Sequence, residues 1–162
     1  MDVTIDAMSP EDWPAVRAVF VEGIAAGNAT FETEAPEWEV WDTAHLPAPR
    51  LVARAEGVVV GWAALSPVSR RRCYAGVAEV SIYLAESARG RGVGRALLDA
   101  LVAASEAAGI WTLQAVVFPG NPASIRLNEA CGFRLVGRRE RIARLRGEWL
   151  DTLLFERRSP AV

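Results

Sequence analysis

The segment Ala88-Arg89-Gly90-Arg91-Gly92-Val93-Gly94-Arg95 holds the residues best suited to chemistry with an anion. Glycines let an oxyanion approach the backbone closely. A helix that begins at such a turn aims unpaired N–H groups and the positive end of its dipole at the same point. Arg89, Arg91 and Arg95 add charge-assisted donors. A P-loop needs a lysine and a hydroxyl after its last glycine, and neither follows Gly94. A dinucleotide turn needs Gly-x-Gly-x-x-Gly, whereas the spacing is Gly90-x-Gly92-x-Gly94. A phosphate-binding turn of another kind remains, beside the plainer reading of a tight strand-to-helix connection.

Two other places carry candidate chemistry. Val77 to Leu84 alternates as a strand, and Glu79 shares a face there with Val77, Ser81 and Tyr83. A carboxylate inside such a strand faces solvent, pairs with an arginine, or works as a general base. Asn121 to Phe133 reads as a capped helix: Asn121 at the N-cap, Pro122 in the first turn, Gly132 as terminator. Ala123, Leu127, Ala130 and Cys131 form its expected core stripe, and Asn121, Ser124 and Asn128 fall on another face. Cys131 reads as a packed thiol and His45, the only histidine, as surface structure without a catalytic role.

The elements that must position these groups follow from periodicity. Val3-Thr4-Ile5 is a short strand. Ser9 caps a helix whose stripe is Trp13, Val16, Val19, Phe20 and Ile24, ended by Gly27-Asn28. A loop over 29–34 leads to a helix near Pro36 to Ala44, stopped by Pro47-Ala48-Pro49. Leu51 to Ala53 and Val58 to Leu65 form a hairpin around Glu56-Gly57. Ser66 to Arg72 is a polar connection to the strand of Glu79. Val93 to Ala108 is amphipathic, with Val93, Leu97, Ala100, Leu101 and Ala104 as its expected face. Trp111 to Phe118 reads as a strand buried on both faces. Phe133 to Leu145 and Glu148 to Phe155 are strands around Arg146-Gly147. The order β-α-α-β-β-β-α-β-α-β-β predicts one α/β domain over residues 1–162 on a mixed sheet.

Bulk properties exclude several classes. The chain has 162 residues, half of them apolar, which suits one domain with a real core. A net charge of -2 argues against a nucleic-acid binder. Two cysteines without a CxxC pattern predict neither a disulfide framework nor a metal site. No apolar run approaches membrane-spanning length and no signal peptide is visible, so a cytoplasmic protein is expected.

Arg89, Gly92 and Gly94 fit Arg/Gln-x-x-Gly-x-Gly/Ala, and the segment resembles the pyrophosphate-binding motif of the GNAT superfamily of N-acetyltransferases. Asn121-x-x-Ser124-x-x-Leu127-x-Glu129-x-x-Gly132-Phe133 resembles the second cofactor motif of that superfamily. Tyr74-x4-Glu79-Val80-Ser81-Ile82-Tyr83-Leu84, Thr30-x-Glu32-x-Glu34 and Gly147-x-Trp149-x-Asp151 narrow the likeness to phosphinothricin and methionine-sulfoximine N-acetyltransferases, over almost the whole chain. The resemblance implies a single-domain GNAT fold, a mixed, mostly antiparallel sheet of about seven strands flanked by four helices. It implies acetyl-CoA as co-substrate and direct attack on it by the amine of a small amino-acid-like molecule. Glu79 would be the base, and Phe31 and Tyr74 would line the acceptor pocket. Acetyl-CoA would be held by Ile82, Tyr83 and Leu84 of the strand, by Arg89, Gly90, Arg91, Gly92, Val93, Gly94 and Arg95 of the turn, and by Asn121, Ser124 and Asn128 of the helix. Strand N–H groups beyond Glu79 would meet the developing oxyanion.

The same likeness implies a homodimer and no metal. Asn128 stands where many members carry Tyr or His as the acid for the leaving thiolate. An amide donates a hydrogen bond but is not a general acid, so either Asn128 only stabilises the thiolate, or water or another residue such as Tyr83 supplies the proton. Arg70 to Arg72 either bind an acidic group of the acceptor or form a solvated loop. A peptide amine or polyamine acceptor, and an acetyl-CoA-binding sensor without turnover, are the alternatives.

Overall fold

The computed structural model describes residues 1–162. Seven strands form one sheet: β1 (Thr4–Ala7), β2 (Arg50–Ala55), β3 (Val58–Pro67), β4 (Val77–Leu84), β5 (Thr112–Val117), β6 (Arg134–Leu145) and β7 (Glu148–Arg158). Four helices flank it: α1 (Trp13–Ala26), α2 (Trp38–Ala44), α3 (Val93–Ala107) and α4 (Pro122–Ala130). The strand order is β1-β2-β3-β4-β5-β7-β6. Every neighbouring pair is antiparallel except β4 with β5. This is the mixed, mostly antiparallel α/β architecture expected from the sequence. No helix is long and apolar enough to cross a membrane.

Local chemistry explains the element ends. Ser9 donates its backbone N–H to Asp12 Oδ2 at 2.9 Å, but only a short 3-10 turn over Pro10–Asp12 follows, and α1 begins at Trp13. All five residues of its expected stripe are buried. Arg50 closes the C-terminal end of α2, donating to the carbonyls of Asp42, His45 and Leu46 while pairing with the Asp42 carboxylate at 2.6 Å. Lone C-terminal carbonyls need such donors, and a cation suits that end of the dipole.

The sheet has two different faces. Cross-strand partners share a face, so Trp62, Ala64 and Ser66 of β3 lie beside Tyr83, Ser81 and Glu79 of β4. This face lies under α1: Phe20 packs on Tyr83 at 4.8 Å and on Trp62 at 5.7 Å between ring centres. A Cβ on Gly23 would sit 2.6 Å from the Tyr83 ring, so glycine there is what lets the helix lie so close. The opposite face meets α3, where Leu97 approaches Gly61 and Leu84 approaches Gly94.

Three packing expectations need correction. The buried face of α3 includes Leu98, Val102 and Ser105, whereas Ala100 and Ala104 are half-buried. Strand β5 is not buried on both faces: Leu113, Ala115 and Val117 are covered and the alternate residues are half-open. In α4 the expected stripe holds only in part: Cys131 is buried and Leu127 packs against the core, but Ala123 and Ala130 are exposed and Asn128 is 2 % exposed. For β5 and α4 the cause is a cleft that opens beside them.

Candidate active site

Strands β4 and β5 pair only at Val77–Thr112, Ala78–Leu113 and Glu79–Gln114. Beyond that rung β4 stays with β3 as far as Leu84, and β5 stays with β7 as far as Val117. The two halves of the sheet therefore part, leaving a strand edge without a ladder partner at the head of a fork. A cavity of about 1100 Å³ occupies the opening. Its walls come from α1, α2, the loop after α1, both forked strands, the glycine turn and α4.

Glu79 stands at the fork. Its Oε1 accepts from Gln114 Nε2 at 2.8 Å, across the last rung. Sequence reading missed Gln114, although it is the one strongly polar side chain in Leu113 to Val117. A carboxylate held by a neutral donor, with no arginine paired to it, keeps lone pairs for a proton.

The glycine turn forms one end of the cavity. Gly90 and Gly92 take positive φ of 71° and 80°, with nothing within 4 Å of where a Cβ would stand. The first helical bond of α3 runs from the Ala96 N–H to the Gly92 carbonyl, so the N–H groups of Val93, Gly94 and Arg95 precede it. Arg89 donates Nε to the Leu84 carbonyl at 3.3 Å, which ties the turn to the strand end. Arg95 pairs with Asp99 at 2.8 Å.

Helix α4 forms the side wall. Asn121 caps it, accepting from the Ser124 N–H at 3.1 Å, and donates Nδ2 to the Asn28 carbonyl at 3.3 Å. One side chain thus joins α4 to the loop after α1. Phe31 of that loop packs edge-on against Phe118 at 4.9 Å. Asn128 donates Nδ2 to the Ser124 carbonyl at 2.9 Å, and its buried Oδ1 has no partner in the chain.

Most of the predicted residues meet here: Glu79, Ile82, Tyr83, Leu84, Arg89, Gly90, Gly92, Gly94, Arg95, Asn121, Ser124, Asn128 and Phe31 all line the cavity. Three do not. Tyr74 is 44 % exposed and carries Arg71 over its ring at 5.6 Å, outside the cavity. The Val93 side chain is in the core, leaving only its backbone for the site. Arg91 points to the far side of the turn, near Arg54 and Gly57. His45 moves the other way. It is half-buried and lines the cavity with Trp41, Trp62 and Ser66, so it is more than the surface residue the sequence suggested.

The turn and helix end suit a pyrophosphate, and the unpartnered edge of β4 suits the amides of an extended arm, with Glu79 in the same cavity. The chain's residues therefore fit acetyl-CoA as a co-substrate.

Known proteins agree with that reading. The model of the acetyltransferase (GNAT) family matches residues 14–133. Phosphinothricin N-acetyltransferase of Alcaligenes faecalis is 35% identical over 161 residues, covering 95% of this chain and 81% of that protein. The L-methionine sulfoximine/L-methionine sulfone acetyltransferase of Pseudomonas aeruginosa is 33% identical over 164 residues, covering 96% and 94%. The crystal structure of a phosphinothricin acetyltransferase from Sinorhizobium meliloti in complex with AcCoA superposes with a TM-score of 0.88 at 33% identity, covering 98% of this chain and 89% of that one. With the fork, the glycine turn and the family match in agreement, the chain belongs to the GNAT family and is an acetyl-CoA-dependent N-acetyltransferase.

Proposed function

We propose that the enzyme acetylates the amine of a small amino-acid-like acceptor, of the phosphinothricin or methionine sulfoximine type, by direct attack in a ternary complex. The observation that carries this reading is the position of Glu79, at the fork and in the same cavity as the glycine turn. The turn, with Arg89, Arg95 and the first N–H groups of α3, takes the pyrophosphate. Asn121, Ser124 and Asn128 hold the arm along α4, and the backbone of Ile82, Tyr83 and Leu84 holds its other edge. The carbonyl to be attacked then lies near Glu79, with strand N–H groups beside it for the oxyanion.

An ammonium cannot attack. Glu79 accepts its proton, directly or through water, and the free amine adds to the thioester carbon. Asn128 has no proton to give, so the thiolate takes its proton from the adding amine or from water. On the acceptor side, Phe31, Trp62 and Tyr83 supply apolar surface and Glu32 adds a second acid. Tyr74 lies outside that surface, so acceptor contacts fall to these residues. The reading takes residues 1–162 as one catalytic domain that works as a homodimer in the cytoplasm.

Thiol release from acetyl-CoA with a panel of amines tests the acceptor. Phosphinothricin, methionine sulfoximine or another amino acid should support turnover. Release only with peptide N-termini or polyamines would overturn the acceptor class. Calorimetric binding of acetyl-CoA with no release across the whole panel would point to a sensor.

A further inference from the structure

His45 is the only histidine, and it is held in one orientation from three sides. Its ring stacks on Trp41 at 4.2 Å between centres and meets Trp62 edge-on at 6.2 Å. Nδ1 lies 2.6 Å from the Trp41 carbonyl oxygen. A carbonyl can only accept, so Nδ1 carries the hydrogen. In the neutral ring Nε2 is then a bare lone pair. Nε2 has no partner in the chain and is not sealed from solvent, and the residue lines the cavity.

The next residue ties this segment to β3, the strand paired with that of Glu79. The Leu46 N–H donates to the Leu65 carbonyl at 2.7 Å. Ser66 follows Leu65 and is the cross-strand partner of Glu79 on the same sheet face. His45, Ser66 and Glu79 all line the one cavity. Several charges surround the ring: Asp42 on its own helix, Arg50 on β2, and Glu32 and Glu79 across the cavity. Burial holds the imidazole below its ordinary pKa and Arg50 pushes the same way, against the Trp41 carbonyl and Asp42. The ring is neutral at neutral pH and ready to accept.

We propose that His45 is a second proton-accepting group of the acceptor pocket, receiving at Nε2 the proton that Glu79 takes from the acceptor ammonium. This rests on the acetyl-transfer reading above. The N–H bond of the ammonium breaks and its electron pair stays on nitrogen. The proton passes to a Glu79 oxygen and on, through the Ser66 hydroxyl or a water, to Nε2. The amine forms the C–N bond, the C–S bond breaks, and the thiolate takes the second amine proton. The imidazolium returns the first proton to solvent, which accounts for the one proton released per turnover.

His45→Asn separates the two ring nitrogens, because the Asn amide can still donate to the Trp41 carbonyl but offers nothing in place of Nε2. Thiol release should show acceptor kcat/KM at least about tenfold lower near pH 8, with the KM for acetyl-CoA unchanged. The gap should narrow below the ordinary histidine range, because the wild-type imidazolium accepts no better than Asn. An equal loss at every pH means a structural role and overturns the proposal, as does no loss. Nitrogen-15 NMR of the wild-type protein, with a single histidine to observe, decides independently of how the variant folds. The expected spectrum is the neutral Nδ1–H tautomer, with Nε2 shifted when CoA and an acceptor amine are added together. An Nε2–H tautomer, or an Nε2 signal unmoved in that complex, refutes the relay. If the wild type acetylates no amine at all, the parent reading fails with it; normal turnover with a wild-type-like variant defeats the relay alone.

Discussion

Gln114 gives the sharpest test of how the fork works. Its Nε2 donates to Glu79 Oε1 at 2.8 Å on the last rung that β4 and β5 share. Gln114→Leu keeps a side chain of similar size and removes that donor. A hydrogen bond to a charged group contributes about 1.5–3 kcal/mol, and both residues are half-buried, so the lower figure applies. If the bond serves to hold the carboxylate in its reactive position, about 1.5 kcal/mol corresponds to roughly a tenfold loss in kcat/KM for the acceptor. Glu79→Gln keeps an oxygen for Gln114 but loses the base, and should cost about 10²–10⁴-fold. The two effects run through one carboxylate. In the Glu79→Gln background, Gln114→Leu should therefore cost no more than about twofold, a marked failure of additivity. Thiol release at saturating acetyl-CoA, with the acceptor varied, completes the cycle. Multiplicative losses would show that Gln114 acts on something other than Glu79, and a Gln114→Leu enzyme with wild-type kcat/KM would refute the positioning argument.

Two further predictions concern the turn and the edge of the sheet. Gly92→Trp places a large side chain at a φ of 80°, in open space beside the first N–H groups of α3, so calorimetric affinity for CoA should fall by about 100-fold or more; unchanged affinity would sink the assignment of the turn to pyrophosphate. Burial pushes the Asp12 carboxyl up, but the Ser9 N–H and the Arg54 guanidinium, 2.9 Å from both its oxygens, outweigh this and hold it below 3.8. A depressed carboxyl stabilises the fold above its ordinary pKa and loses that contribution as pH falls through the folded value. Arg54→Met should therefore cost about 2 kcal/mol in urea unfolding at pH 7 and clearly less at pH 3, whereas an equal cost at both would contradict the ion pair as its source.

What was legible in the sequence was local. The glycine turn, the Asn121 cap and the stripe of α1 each depend on residues within a few positions of one another, and each stands where expected. The misplacements share a non-local cause. Helix α4 was read as covering a core with Ala123 and Ala130, yet it borders an opening, so those alanines are exposed and Asn128 is the buried residue. Arg91 and Val93 belong to the turn by sequence, but a turn has an inside and an outside that spacing alone does not reveal. Tyr74 sits five residues before Glu79, and the short 3-10 turn over Arg72–Tyr74 leaves it exposed beside Arg71.

The acceptor side was the least legible part, because no one stretch of chain encodes it. Trp41, His45, Trp62 and Tyr83 come from α2, the residue that follows it, β3 and β4, and in sequence each reads as one more apolar or aromatic position. Arg50 makes them one site. By bonding three carbonyls at the end of α2 and lying over Trp41 at 5.1 Å, it fixes where His45 stops and where Leu46 reaches β3. Glu79 and Gln114 act in the same way on the other wall, as the last rung before the sheet divides. The glycine turn can be read as a motif because the backbone N–H groups it would offer an anion are set by local spacing. The proposed acceptor pocket cannot, because its walls are set by contacts in separate parts of the chain, the bonds of Arg50 at the end of α2 and the Glu79–Gln114 bond between residues 35 apart.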